Sequence, residues 1–99
     1  MSDIFDLVLG HHELAGEEYE IALSRAVIRH AIKDLGGADP VHFSIAKKYL
    51  ESERFSLHRE NAGYPPELLD SLKDLVLLSK VQRKFVSNQL LRMLRKNFE

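Results

Sequence analysis

The chain has no cysteine, and its 99 residues include only three prolines and five glycines. Without thiols there can be no disulfide, zinc–thiolate site, iron–sulfur centre or cysteine nucleophile. An excess of one charge sign is missing as well: fourteen Lys and Arg stand against fifteen Asp and Glu, a net charge of −1. That balance excludes a polybasic nucleic-acid tail and an acidic disordered chain. Met1-Ser2-Asp3-Ile4-Phe5-Asp6 has no basic n-region and no long apolar run. The expectation is therefore a cytoplasmic protein that neither spans nor enters a membrane. No β-branched run alternates strictly, so a sheet is not expected. A glycine-rich phosphate loop is absent too, since Gly36-Gly37 lies between two helical patterns rather than after a strand.

What is present is helical spacing. The composition, 44% hydrophobic and 29% charged, fits one globular domain over residues 1–99. The first helix is expected from Glu17 to Leu35. Its apolar face is Ile21, Ile28, Ala31, Ile32 and Leu35, widened by Leu23 and Val27, with Arg25, Arg29 and Lys33 opposite. Gly36-Gly37 ends it as residues tolerant of the left-handed conformation. Asp39 is placed to cap a second helix with Pro40 at its first position. That helix covers Pro40 to Glu51 and buries Val41, Ile45, Ala46, Tyr49 and Leu50. Ser52 is placed to cap a third from Glu53 to Ala62, closed by Gly63. Asp3 to Leu9 reads as a short extra turn, with Gly10 and Gly16 bracketing a connection.

From Pro66 onward the pattern is unbroken. A single helix over 66–97 would be roughly 48 Å long, against about 30 Å for a small domain. A break or kink near Ser79-Lys80 is therefore expected. Leu75-Val76-Leu77-Leu78 puts apolar side chains on every face, more than one supporting layer covers. The fold class is thus all-α: a compact bundle of four to five helices, with a helix-turn-helix-like corner near 53–78 and a long or kinked C-terminal helix. A homodimer interface is expected at Leu75, Leu77, Leu78, Val81 and Phe85.

Charge is divided between the ends. Residues 1–21 hold Asp3, Asp6, Glu13, Glu17, Glu18 and Glu20 and no base; residues 79–99 hold Lys80, Arg83, Lys84, Arg92, Arg95 and Lys96 against Glu99 alone. Such asymmetry can steer pairing of the two ends, within a chain or between chains. It can equally describe solvated helix faces, since exposed ion pairs contribute little. The stripe Lys80, Lys84, Asn88, Arg92, Lys96 can track a phosphate backbone, which makes Arg83, Lys84, Arg92, Arg95 and Lys96 the candidate DNA contacts. No aromatic residue interleaves with it to stack on bases. At the 53–78 corner, Glu67, Asp70 and Asp74 would repel phosphates.

Catalytic chemistry finds little support. His11-His12-Glu13 has metal-ligand side chains but lacks the spacing that aims two histidines at one ion, so no metal or cofactor is expected. His30 and Asp34 lie one helical turn apart, without an assignable nucleophile. Arg25 and His30 have the short spacing of some helical ribonucleases, yet positions five apart diverge by about 140° on a helix. His42 and His58 fall beside apolar positions, as packing residues do. The reading leans against an enzyme, with a ribonuclease or metal enzyme its remotest branch.

Ala46-Lys47-Lys48-Tyr49-Leu50-Glu51-Ser52-Glu53-Arg54-Phe55 and Glu60-Asn61-Ala62-Gly63-Tyr64-Pro65-Pro66 resemble a pattern of small phage- and prophage-encoded helical proteins. The shared features are Ala, two residues, aromatic-Leu, then Ser, two residues, Phe, and later Glu-x-Ala-Gly with a proline. Ala31-Ile32-Lys33-Asp34-Leu35 fits their first helix, so the resemblance spans about 27–67. Many of those proteins carry a cysteine one turn after the Phe; Arg59 stands there in this chain, so no thiol role transfers. The resemblance implies an intracellular, phage-type helical protein and carries over no catalytic residue. Together these observations lead to the expectation of a self-associating, non-enzymatic interaction or regulatory protein, with a DNA-binding regulator as the alternative.

Overall fold

The computed structural model describes residues 16–99, and they form five helices with no strand among them. These are α1 (Gly16–Gly36), α2 (Pro40–Leu50), α3 (Glu53–Ala62), α4 (Glu67–Val76) and α5 (Lys80–Phe98). The all-α fold read from the sequence is the fold observed. The turn expected at Asp3 to Leu9 and the His11-His12-Glu13 cluster lie outside the described residues.

Helix α1 is the axis of the bundle and touches all four others, most extensively α3 and α5. Ile28, Ile32 and Leu35 on its inner face are fully buried. Around them close Ala46 and Leu50 from α2, Phe55 and Ala62 from α3, Leu68, Leu72 and Leu75 from α4, and Leu94 from α5. Burial of such side chains is the main favourable term, about 1.5–3 kcal/mol for each large one. Tyr49 and Phe55 meet edge to face at 5.6 Å, joining α2 to α3.

The junctions show what ends each helix. Asp39 accepts from Val41 N–H at 2.8 Å and His42 N–H at 3.3 Å, the expected cap with Pro40 in the first turn. Those two bonds, with a minor contribution from His42, hold its carboxyl below the usual range. Gly63 is left-handed at φ 77°, and Tyr64 N–H reaches back to Arg59 C=O. Ser79 accepts from Gln82 N–H while the Gln82 side chain accepts from Ser79 N–H, a complete capping box. The break expected near Ser79-Lys80 is therefore real. The described residues measure 41 × 28 × 25 Å, shorter than the roughly 48 Å that one unbroken helix would need.

Several expectations are corrected. Val41 and Ile45 are 62% and 60% exposed rather than buried, because α2 turns only its Ala46–Leu50 edge inward. Leu23 is also exposed, at 42%. Ser52 does stand at the N-cap of α3, but its side chain makes no cap bond; its hydroxyl donates back to Tyr49 C=O at 2.7 Å. Gly36 does not end α1 through a left-handed turn. It stays helical and buried where α5 crosses, and a Cβ there would lie 1.9 Å from Ser87 Oγ.

Candidate interaction surfaces

The expected interface residues separate into two groups. Leu75 is 1% exposed and belongs to the core, so it lies beneath any contact surface. Of the other four, at and after the α4–α5 joint, Leu78 is half-buried and Leu77, Val81 and Phe85 are exposed. Helix α4 stops at Val76, which turns Leu77 outward at 83% exposure. Ser79 restarts the chain as α5, and Val81 and Phe85, one turn apart, point away from the core at 81% and 63% exposure. Leu78, Val81, Gln82, Phe85 and Val86 outline a shallow apolar depression. Asp70 and Asp74 are exposed on α4, and Lys80 and Lys84 on α5, where they border Val81.

Arg83 is not a free cation. Its Nε donates to Leu35 C=O at 3.2 Å and a terminal nitrogen donates to Leu78 C=O at 3.1 Å. The guanidinium also lies 4.3 Å over the Phe43 ring. Among the candidate phosphate contacts Arg83 is thus a fastener between α1, α5 and the α4–α5 turn. Lys84, Arg92, Arg95 and Lys96 remain exposed along α5. Arg25 and Arg29 are likewise engaged rather than solvated. Arg25 donates to Ala62 C=O at 2.9 Å, and Arg29 pairs with Glu99, whose carboxylate also accepts from Tyr64 O–H at 3.0 Å.

The histidines are dispersed. His30 meets Asp34 at 3.4 Å, but the His30 side chain is 76% exposed and Arg25 is bound to α3, so no Arg–His site forms. His42 is exposed beside Asp39 at 3.7 Å rather than packed. His58 lies 2.6 Å from Tyr49 O–H. Partial burial, then Arg54, lowers the pKa of His58. Burial pushes the Tyr49 phenol up to about 12, against the opposing pull of Arg54. Among the described residues no group of three His, Asp or Glu is placed to hold a metal.

A groove that the periodicity did not reveal runs between α1, α2 and α3. It encloses about 570 Å³ over Leu23, Val27 and Ala31 of α1 and Ile45, Ala46 and Tyr49 of α2. His30, Lys48, Arg54 and His58 stand around it. Its sequence signal was the unusual width of α1's apolar face, with Leu23 and Val27 beyond the Ile28–Ile32–Leu35 line.

At the 53–78 corner Gly63 makes the expected turn, yet α3 and α4 do not pack on each other; each lies against α1. No helix among the described residues is long and apolar enough to cross a membrane. No family model, curated protein or solved structure matches the chain.

Proposed function

We propose that the protein is a non-enzymatic helical interaction module of the cytoplasm, phage-type as the resemblance implies, which self-associates through Leu77, Leu78, Val81 and Phe85. The observation that carries this reading is the strong exposure of three large apolar side chains at and just after the α4–α5 joint, Leu77, Val81 and Phe85, the last two bordering one apolar depression with Leu78. A cluster of large apolar side chains in water is costly, and burying it against a partner recovers about 25 cal/mol per Å².

The charges beside the patch favour a second copy as that partner. Helix α4 carries exposed Asp70 and Asp74, and α5 carries exposed Lys80 and Lys84. A two-fold rotation lying in the contact plane brings the acidic side of one copy onto the basic side of its mate, as an isologous interface requires. Sedimentation velocity tests it. The full chain is expected to sediment as a dimer at high micromolar concentration, and the double variant Val81→Glu, Phe85→Glu as a monomer with unchanged helicity. A wild-type monomer at that concentration removes the proposal.

A second reading rests on the exposed row Lys84, Arg92, Arg95 and Lys96 on α5. It expects duplex DNA binding whose affinity falls steeply with salt. Absence of any retardation at low salt eliminates it.

A further inference from the structure

We propose that the outward face of α5 reads base edges in the major groove of duplex DNA, with Asn88 and Gln89 as its specificity-determining residues. The proposal rests on the DNA reading of α5 and adds to it a sequence preference and the residues that set it.

The face is built from one helix. Ser87 and Leu94 are buried and mark the side of α5 that lies on the core. At about 100° per residue, Asn88 and Gln89 fall on either side of the opposite, outward line, and both are exposed. Lys84 stands one turn before them and Arg92 one turn after, with Arg95 and Lys96 a turn further on. Gln89, Arg92, Met93, Lys96 and Asn97 share one shallow surface depression, so amides and cations adjoin.

Charge points to an anionic partner. From Lys80 to Phe98 the helix has no acidic residue. Glu99, the next acid, is turned aside, its carboxylate held by Arg29 of α1 and by Tyr64 O–H. Among the described residues no acidic side chain pairs with Lys84, Arg92, Arg95 or Lys96. Cations gathered on one exposed face without counter-charge bind a polyanion favourably, and they release its condensed counterions as they do so.

The amides choose among polyanions. An asparagine or glutamine side chain presents a donor and an acceptor in one plane, which pair with N7 and N6–H of adenine in the major groove. Exposed Met93 offers an apolar contact to the thymine methyl group beside them. A helix about 10–12 Å across fits a major groove about 12 Å wide, whereas that groove in A-form RNA is too narrow for side chains to read. The middle of the face is polar, which suits a hydrated groove and not a lipid surface.

The test incubates the full-length chain at low salt with a randomised pool of duplex DNA and sequences the bound fraction over several rounds. Enrichment of a site containing adenine is expected, bound about tenfold more tightly than a scrambled duplex. Placing 7-deazaadenine in that site removes the N7 acceptor, keeps the base pair and leaves the protein unaltered; it is expected to abolish the preference. Asn88→Ala with Gln89→Ala is expected to bind the selected and scrambled duplexes equally, at the wild-type affinity for the scrambled one. Arg92→Ala with Arg95→Ala is expected to weaken both alike and to lower the salt slope by about 2. All four positions are exposed and Val81 and Phe85 are untouched, so helicity and sedimentation are expected to match wild type. Binding without enrichment, or a preference that survives deazaadenine or the amide variant, overturns the base reading and leaves the DNA reading standing. Equal affinity for duplex RNA overturns the base reading as well. No retention of any duplex at low salt overturns both.

Discussion

Gly36 shows how one missing atom sets the approach of two helices. A Cβ there would lie 1.9 Å from Ser87 Oγ, 2.7 Å from Ser87 Cβ and 3.2 Å from Arg83 C=O. Gly36→Ala therefore gains helix propensity of up to about 1 kcal/mol but forces α5 away from α1 at an overpacking cost of about 1–3 kcal/mol. Net destabilisation is expected in urea unfolding. Ser87→Gly, which removes both nearest atoms, is expected to rescue more of it than Ser87→Ala, which leaves the Cβ. A glycine in a sequence announces freedom of φ and smallness alike, so Gly36-Gly37 read as a left-handed terminator when the buried contact was its use. Tyr49 supplies a pH-dependent counterpart. Its phenol is pushed from 10.0 to about 12, chiefly by burial, so the fold favours the neutral form. This contribution to stability is complete below pH 10 and lost as pH rises from 10 to 12. Ultraviolet titration of the phenolate, followed with the unfolding midpoint over the same range, checks it: Tyr49 should ionise late and the midpoint should fall there.

Elements were legible wherever a local signal and the apolar period agreed. Asp39-Pro40, Gly63 and the helical face of Ile28, Ile32 and Leu35 each did so, and each stands where it was expected. The break at Ser79 was inferred from length, and its mechanism, the Ser79–Gln82 capping box, is local. The face of α2 was not legible. Val41 and Ile45 share the helical period with Ala46 and Leu50, and only the positions of α1 and α4 decide which edge is covered. Arg83 was misread for a similar reason: a cation in a basic stripe looks solvated until its tertiary acceptors are known. Leu35 C=O and Leu78 C=O lie 48 and 5 residues away in sequence. Arg83→Met should cost about 2 kcal/mol in chemical unfolding, because it removes two charge-assisted bonds at helix termini. Arg83→Lys should recover only a small part, since an ammonium neither forks between two carbonyls nor stacks flat on Phe43. Equal stability of the Lys variant and wild type would show that charge alone suffices at this joint.

Charge is segregated by element across the molecule, and this gives the assembly proposal a second test. Along α4 the exposed ionisable residues are Glu67, Asp70, Lys73 and Asp74; along α5 they are Lys80, Lys84, Arg92, Arg95 and Lys96. The sequence displayed that division and the surplus of apolar residues around Leu77, but not Leu75's place in the core, which depends on how four helices meet. Nor could it display the groove at Leu23 and Ile45, whose lining comes from three helices, α1, α2 and α3. In a two-fold contact centred on Val81 and Phe85, Asp70 and Asp74 of one copy face Lys80 and Lys84 of the other. Replacing the acids, Asp70→Lys with Asp74→Lys, sets like charges against each other twice per dimer and should weaken association. Replacing the bases, Lys80→Glu with Lys84→Glu, should weaken it similarly. Combining all four restores opposite signs across the contact, so the quadruple variant should dimerise more tightly than either double. The difference should shrink in molar salt, where the Debye length falls to about 3 Å. Purely additive weakening in the quadruple variant would mean that the acidic and basic sides do not meet, and would leave the apolar cluster to a heterologous contact or a different partner.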